Sequence, residues 1–409
     1  MSRRVAIVGQ GLVTAFGETW EDNRTKILEC QNAVRHMQEW EIVQGLITKL
    51  AAPCDNFVAP EHYTRKKTRS MSRVSIMATR ASELALINAG LLGDPFINSG
   101  RVGVAYGSSF GSTFAVKDFF FMLTENTTGD LTANSYVKMM PQTAAVNISL
   151  FFGITGRIIP TSTACTSGSM AIGYAYEAIK NGYQDAMIAG GAEELSVCDA
   201  GVFDTMFSTS SKNDTPKLTP APFDKDRDGL VIGEGAGTVV LEEYEHAKAR
   251  GANILGELIG FATNCDATHI TSPNPKTIQI CIESSIKDAG LSPSDIGYIS
   301  AHGTGTARGD VAESNATANI YGNKTPISSL KSYFGHTLGA CGAVEAIASV
   351  NMMNEGWFNP NLNLHEVDPQ CGDLDYIMDK PLKKEVEFIQ SNNFAFGGIN
   401  TSMVIKRVK

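Results

Sequence analysis

The 409-residue chain has no Cys-x-x-Cys pair among its eight cysteines (Cys30, Cys54, Cys165, Cys198, Cys265, Cys281, Cys341 and Cys371), no low-complexity tract and no membrane-length apolar run. The first absence argues against a zinc knuckle or a disulfide framework and fits reduced thiols in a cytosol. The others leave no long linker and no membrane helix. Positive charge is also short: 34 Lys and Arg stand against 43 Asp and Glu, a net charge of −9. The molecule therefore lacks the overall field that draws nucleic acid or anionic lipid, and an acidic partner has to dock on a local basic patch. Charged residues make up 19 % and apolar residues 43 %, a balance that excludes disorder. The start imitates a secretory leader, with Arg3 and Arg4 before the run 5–13, but Gly9 and Gly11 interrupt that run. No convincing cleavage site follows, so it reads as a first strand and turn, and the expectation is a cytoplasmic protein.

What the chain does have is glycine, 39 residues scattered without a period. Short β-branched runs recur at 5–8, 101–106, 185–189, 238–241, 296–300 and 388–391, each with strand composition and length. Helical patterns lie between them at 72–89, 170–181, 276–289 and 340–353, the last two stopped by Gly290 and by Asn354 to Gly356. Such alternation predicts an α/β fold with helices on the sheet faces and ligands at strand ends. The charged stretch EEYEHAKARG at 242–251 marks a seam between 1–250 and 251–409. Both halves alternate strand and helix, with no clean sequence repeat between them.

Within GRIIPTSTACTSGSMAIG (156–173), a strand-like run, a tight turn and a small-residue helix place Cys165 at a helix N-terminus. A free thiol of pKa about 8.5 is only about 3 % ionised at neutral pH, and a helix dipole contributes roughly 0.3–1 kcal/mol. An activated Cys165 therefore needs an imidazole nearby; the alternative is a buried structural cysteine, as most of the other seven are read. Two of the seven histidines sit in glycine-flanked loops after strand patterns, His302 in AHGTGT and His336 in GHTLG, where substrate can approach the ring. His36, His62, His246, His269 and His365 lack that collar and read as surface residues. One cysteine with two loop histidines suits acyl transfer, thiolate attack followed by imidazole polarising a second carbonyl. A Cys/His₂ zinc site competes, but the spacing is not metal-like. Lys331 and Glu345, in SSLKSYFGHTLGACGAVEA, are either ordinary surface and helix residues or a buried pair orienting the histidines. NNFAFGGIN (392–400) is either a plain hairpin or a source of oxyanion-binding N–H groups. GLVIGEGAG (229–237) lacks the lysine and spacing of a phosphate loop.

Taken together, TACTSG, AHGTGT, LKSYFGHTLGACGAVEA, NNFAFGGIN and PFDKDRDGLVIGEGAG (222–237) resemble, in order and spacing, the signature blocks of elongating β-ketoacyl-acyl-carrier-protein synthases. The resemblance spans essentially the whole chain. It implies a thiolase fold, two similar halves in a five-layer α/β/α/β/α body, and a homodimer, with a heterodimer of ketosynthase and chain-length-factor type as the variant. It implies that Cys165 carries the acyl chain as a thioester while His302 and His336 polarise the malonyl thioester during decarboxylation, with Lys331 and Glu345 as the supporting pair. The N–H groups of Cys165 and Phe396 would form the oxyanion hole, Phe396 gating an acyl pocket that Phe110 and Phe203 also line, and Thr304 and Thr306 would bind the phosphopantetheine arm. No metal or redox cofactor is implied; the substrates arrive on acyl carrier protein.

That acidic partner gives meaning to Arg65, Lys66, Lys67, Arg69 and Arg73, five positive charges in nine residues without one acid. Lys66 and Arg69 match docking positions of the family. The departures are Phe110, where a smaller pocket residue is usual, Phe207 in place of a docking arginine, Ala395 for Gly and Ile399 for Thr. An aromatic at 110 would shorten the pocket or favour flat, conjugated chains, so the expectation leans to the aryl-polyene or type II polyketide branch. Non-catalytic chain-length factors lack the active cysteine that is present here. Thiolases carry a second reactive cysteine where this chain has Phe396.

Overall fold

Nine residues from Val5 to Val13, apolar and buried almost throughout, open the fold as an extended strand covered on both faces. The computed structural model describes residues 2–129 and 131–408. Its first half runs β1 (Val5–Val13), α1 (Arg73–Asn88), β2 (Val102–Gly107), α2 (Thr143–Phe152), β3 (Ile158–Thr161), α3 (Ser167–Lys180), β4 (Ala186–Glu193), β5 (Gly235–Glu243). The second runs β6 (Gly256–Cys265), α4 (Pro275–Asp288), β7 (Ile296–Ala301), α5 (Ala307–Tyr321), β8 (Pro326–Ser329), α6 (Cys341–Glu355), β9 (Phe388–Ala395), β10 (Ile399–Lys406).

The two orders repeat. In the first half the sheet reads β1-β5-β4-β2-β3, and in the second β6-β10-β9-β7-β8. The first two pairings of each are antiparallel and the last two parallel. The duplication that no sequence repeat revealed is thus present in the topology. Val5–Ile7 pair with Gly256–Leu258, so the two sheets join edge to edge. The parallel crossovers run through helices, as that topology requires.

Helix composition follows layer. The outer α4 buries Ile278, Cys281, Ile282, Ser285 and Ile286, one face at helical spacing. The inner α3 and α6 are buried on nearly every side, so their sequences are small and apolar all round. They lie side by side between the sheets, α1 and α2 cover one outer face, and α4 and α5 cover the other, giving five layers. The close approach is steric in origin: a Cβ on Gly168 would sit 2.8 Å from the Gly339 carbonyl oxygen. The N-termini of α3 and α6 therefore meet in the middle of the molecule.

Candidate active site

Cys165 stands between β3 and α3, in a turn where Ala164 takes a left-handed φ of 50°. That conformation strains a non-glycine residue by roughly 1–3 kcal/mol and is kept only where the surroundings enforce it. Here Ser167 enforces it, its hydroxyl donating to the Ala164 carbonyl at 2.7 Å and accepting the Thr163 N–H at 2.9 Å. The Cys165 side chain is buried and faces a cavity of about 510 Å³.

His336 enters from the loop between β8 and α6. Its N–H donates to Val231 O at 2.6 Å and its carbonyl accepts the Gly233 N–H at 2.8 Å. The glycine run rejected as a phosphate loop therefore clamps this histidine, and a Cβ on Gly233 would lie 2.2 Å from Phe334 O. His336 Nε2 lies 2.9 Å from Cys165 Sγ. His302 follows β7, and its ring meets that of His336 edge-on with centroids 5.2 Å apart. The loop after His302 is pinned by acids of α5: Glu313 accepts the N–H groups of His302 and Gly303, both at 2.7 Å, and Asp310 those of Thr304 and Gly305 at 3.0 and 3.1 Å.

Lys331 and Glu345 form the buried pair, Nζ to Oε1 2.5 Å, with side chains 1 % and 3 % exposed. The surface reading of Lys331 is thereby excluded. Burial holds His302 and His336 well below the usual imidazole range, with the Lys331 charge adding to it. Burial also lifts the Cys165 thiol to about 12, opposed by Lys331 and by the backbone N–H groups of Phe396 and of Cys165 itself. At neutral pH the resting pair is thus thiol and neutral imidazole.

Cys165, His302 and His336 bring their donor atoms within 4.8 Å of one another, so spacing along the chain was no guide to their proximity. The surroundings nevertheless suit an anion: a buried ammonium acts on all three groups, and two N–H groups face the sulfur.

Phe396 lies in the turn between β9 and β10, so NNFAFGGIN is a hairpin and also the source of an N–H for the thiol. Phe203, 8 % exposed, packs against Phe396 with centroids 5.1 Å apart, and both line the cavity. Thr304 and Thr306 line it as well, their hydroxyls 2.9 Å apart. Phe110 does not reach this wall. It is 43 % exposed, because the carboxylate of Glu193 gathers the loop before it, accepting from Ser108 Oγ at 2.9 Å and Ser109 N at 2.8 Å, and Gly111 then turns the chain with φ 75°. Phe207 is 83 % exposed and lines the cavity mouth. His269, read as a plain surface residue, also borders that mouth.

Arg65, Lys66 and Lys67 form a one-turn helix and, with Arg69, are exposed; among the described residues none of the four is in an ion pair. Arg73 leaves the cluster. Its guanidinium binds buried Glu234 at 2.5 and 3.0 Å, so its charge is spent inside. Sequence reasoning missed Asp310, Glu313 and Asn393. The signal for the first two was two acids three residues apart on the first turns of the helix after AHGTGT.

A buried cysteine beside two neutral imidazoles, in an anion-favouring pocket at the meeting of two duplicated halves, is the arrangement that suits an acyl-transferring condensing enzyme. The family model "Beta-ketoacyl synthase, N-terminal domain" matches residues 2–247, and "Beta-ketoacyl synthase, C-terminal domain" matches 255–365. The chain belongs to the β-ketoacyl synthase family. It is 35 % identical to 3-oxoacyl-[acyl-carrier-protein] synthase 2 of Synechocystis over 99 % of this chain and 98 % of that one. A crystal structure of a β-ketoacyl synthase from Burkholderia phymatum shares 56 % identity with a TM-score of 0.98, covering all of both chains. A type II polyketide ketosynthase solved in complex with its acyl-carrier protein is 30 % identical with a TM-score of 0.90, again over both full chains.

Proposed function

We propose that the chain is a 3-oxoacyl-[acyl-carrier-protein] synthase working in two half-reactions. Cys165 takes an acyl group from its carrier thioester, its proton passing through His336 to the departing pantetheine thiolate. The malonyl thioester then loses CO₂, the enolate oxygen is held by N–H donors of His302 and His336, and its carbon attacks the Cys165 thioester. A 3-oxoacyl thioester forms and Cys165 thiolate is released to recover a proton. The observation that carries this reading is the 2.9 Å contact of Cys165 Sγ with His336 Nε2, beside His302, at the floor of a cavity bordered by Thr304 and Thr306. These groups act without a metal or redox cofactor, because preorganised donors meet the charge where it develops.

Further parts of the proposal concern partners and chain. The unpaired charges of Arg65, Lys66, Lys67 and Arg69 receive an acidic carrier protein. A second copy of the chain covers the exposed apolar side chains Phe110, Phe114, Phe120 and Leu123, a patch too rich in aromatics to face water alone. Sedimentation at micromolar concentration should return twice the 43.8 kDa chain mass. The aromatic wall that Phe203 and Phe396 give the cavity favours a flat, conjugated acyl group of the aryl-polyene or polyketide kind over a saturated long chain.

Intact-mass measurement after incubation with saturated and aryl-conjugated acyl carrier thioesters tests the set. Wild type should gain one acyl group, Cys165→Ala none, and Lys66→Glu with Arg69→Glu should acylate slowly from carrier protein yet normally from acyl-CoA. No adduct from any donor would sink the catalytic reading. Preference for a saturated long chain would sink the aromatic one.

A further inference from the structure

Asn393 is buried within β9, and its side-chain nitrogen faces two close acceptors, with Cys341 Sγ farther off at 3.8 Å. Nδ2 lies 2.8 Å from Glu345 Oε2 and 3.3 Å from His302 Nδ1, while Oδ1 is buried with no partner. The amide orientation is forced by its surroundings. Turned over, it would set a carbonyl oxygen against the carboxylate that Lys331 already neutralises on its other side. The oxygen instead faces Gly342, where a Cβ would lie 2.6 Å from it, so the missing side chain of Gly342 makes room for this orientation.

An amide N–H can satisfy only a bare ring nitrogen, and a neutral imidazole has one bare and one protonated nitrogen. We infer that Asn393 is a positioning residue that holds the His302 proton on Nε2, so that this histidine offers a donor to the enolate oxygen rather than a lone pair. The chain of contact runs Lys331, Glu345, Asn393, His302. Each link fixes the next, and the buried ion pair thereby reaches a ring it does not touch. This division gives the two histidines different duties. His302 has its Nδ1 occupied and serves as a fixed donor, whereas His336 Nδ1 has no partner, so its ring can change tautomer, accepting the Cys165 proton at a bare Nε2 during acylation and donating from a protonated Nε2 to the enolate.

The inference rests on the condensing reading, but its first test does not. In protein labelled with [15N]histidine, long-range proton–nitrogen correlation reads each tautomer without substrate. Wild type should show His302 protonated at Nε2. Asn393→Asp, which presents an acceptor to Nδ1, should move the proton there, and the near-isosteric Asn393→Leu should leave a mixture; the second variant carries the test if the first does not fold. With substrate, both variants should lose decarboxylation of malonyl thioester by about 100-fold or less, the cost of one misdirected donor. Acylation of Cys165 should stay within a few-fold of wild type. An unchanged His302 tautomer in the folded variants, an unchanged decarboxylation rate, or an equal loss in both half-reactions overturns the assignment. A wild type that does not decarboxylate malonyl thioester would instead remove the condensing reading, with the tautomer result still legible.

Discussion

The two halves of the molecule share strand order, strand direction and helix placement, yet they contribute unequally to chemistry. At the end of β7 the second half carries His302, and at the end of β2 the first half carries Ser108 and Ser109. After β8 comes His336, after β3 comes Cys165. The acids follow the same contrast. Glu193, at the end of β4, accepts from Ser108, Ser109 and, across the halves, the Gly339 N–H at 3.0 Å, whereas Glu313 supports the loop that holds His302. One half thus supplies Cys165, with a serine loop gathered by a carboxylate beside it, and the other supplies both histidines. A duplicated scaffold sets four strand-end loops at one centre, and residue choice on each loop decides whether it reacts or only supports.

The largest effect should separate those duties. Cys165→Ser should lower condensation by about 10³-fold or more by abolishing acylation, whereas His302→Ala should leave acylation near wild type and lower malonyl decarboxylation by about 10²–10³-fold. Rapid-quench measurement of each half-reaction checks this, and equal losses in His302→Ala would erase the distinction between halves. Next, Glu193→Ala should strand several buried donors and cost about 3 kcal/mol in chemical denaturation, more than Lys66→Ala at the surface.

The smallest effect concerns pH. Asp199, beside Glu193 and Glu194, is buried with both carboxylate oxygens unpartnered, and burial pushes it up to about 8. Glu313 is also pushed up to about 8, but accepts two N–H groups. The folded state therefore keeps a proton on Asp199 between roughly pH 4 and 8 that the unfolded state releases. Stability contributed by this group is present at low pH and falls as pH rises through that window. Urea midpoints at pH 5.5 and 7.5 should show a smaller decline in Asp199→Asn than in wild type, by about 1–2 kcal/mol. Identical declines would mean that Asp199 is ionised throughout.

Much of this was readable along the chain. The strand at 388–391 and the helices at 72–89 and 276–289 carry local periodicity that packing did not override. Cys165, His302 and His336 stood out because rare side chains sat among turn-forming residues. The failures are of one kind: they concern the partner, not the segment. A charge run announces Arg73 as positive but not that Glu234, 161 positions away, holds it. The aromatic character of Phe110 is visible, while its direction depends on Glu193 gathering the preceding loop. Asn393 looks like one more polar residue in a glycine-rich hairpin until β9 is seated beside β7 and α6. Topological duplication left no sequence repeat, because a strand order can be satisfied by many apolar sequences.

The side-by-side seating of α3 and α6 also has a consequence in time. During synthesis α3 is complete at Lys180, and its partner begins only at Cys341, 341 − 180 = 161 residues later. At roughly 5–20 residues per second, the ribosome leaves the helix that follows Cys165 without its neighbour for about 8–32 s. In that interval the nascent chain presents an apolar helix face to every other chain in the cell. The order in which the halves emerge thus sets a period of exposure that a chaperone, or a second nascent copy, has to cover.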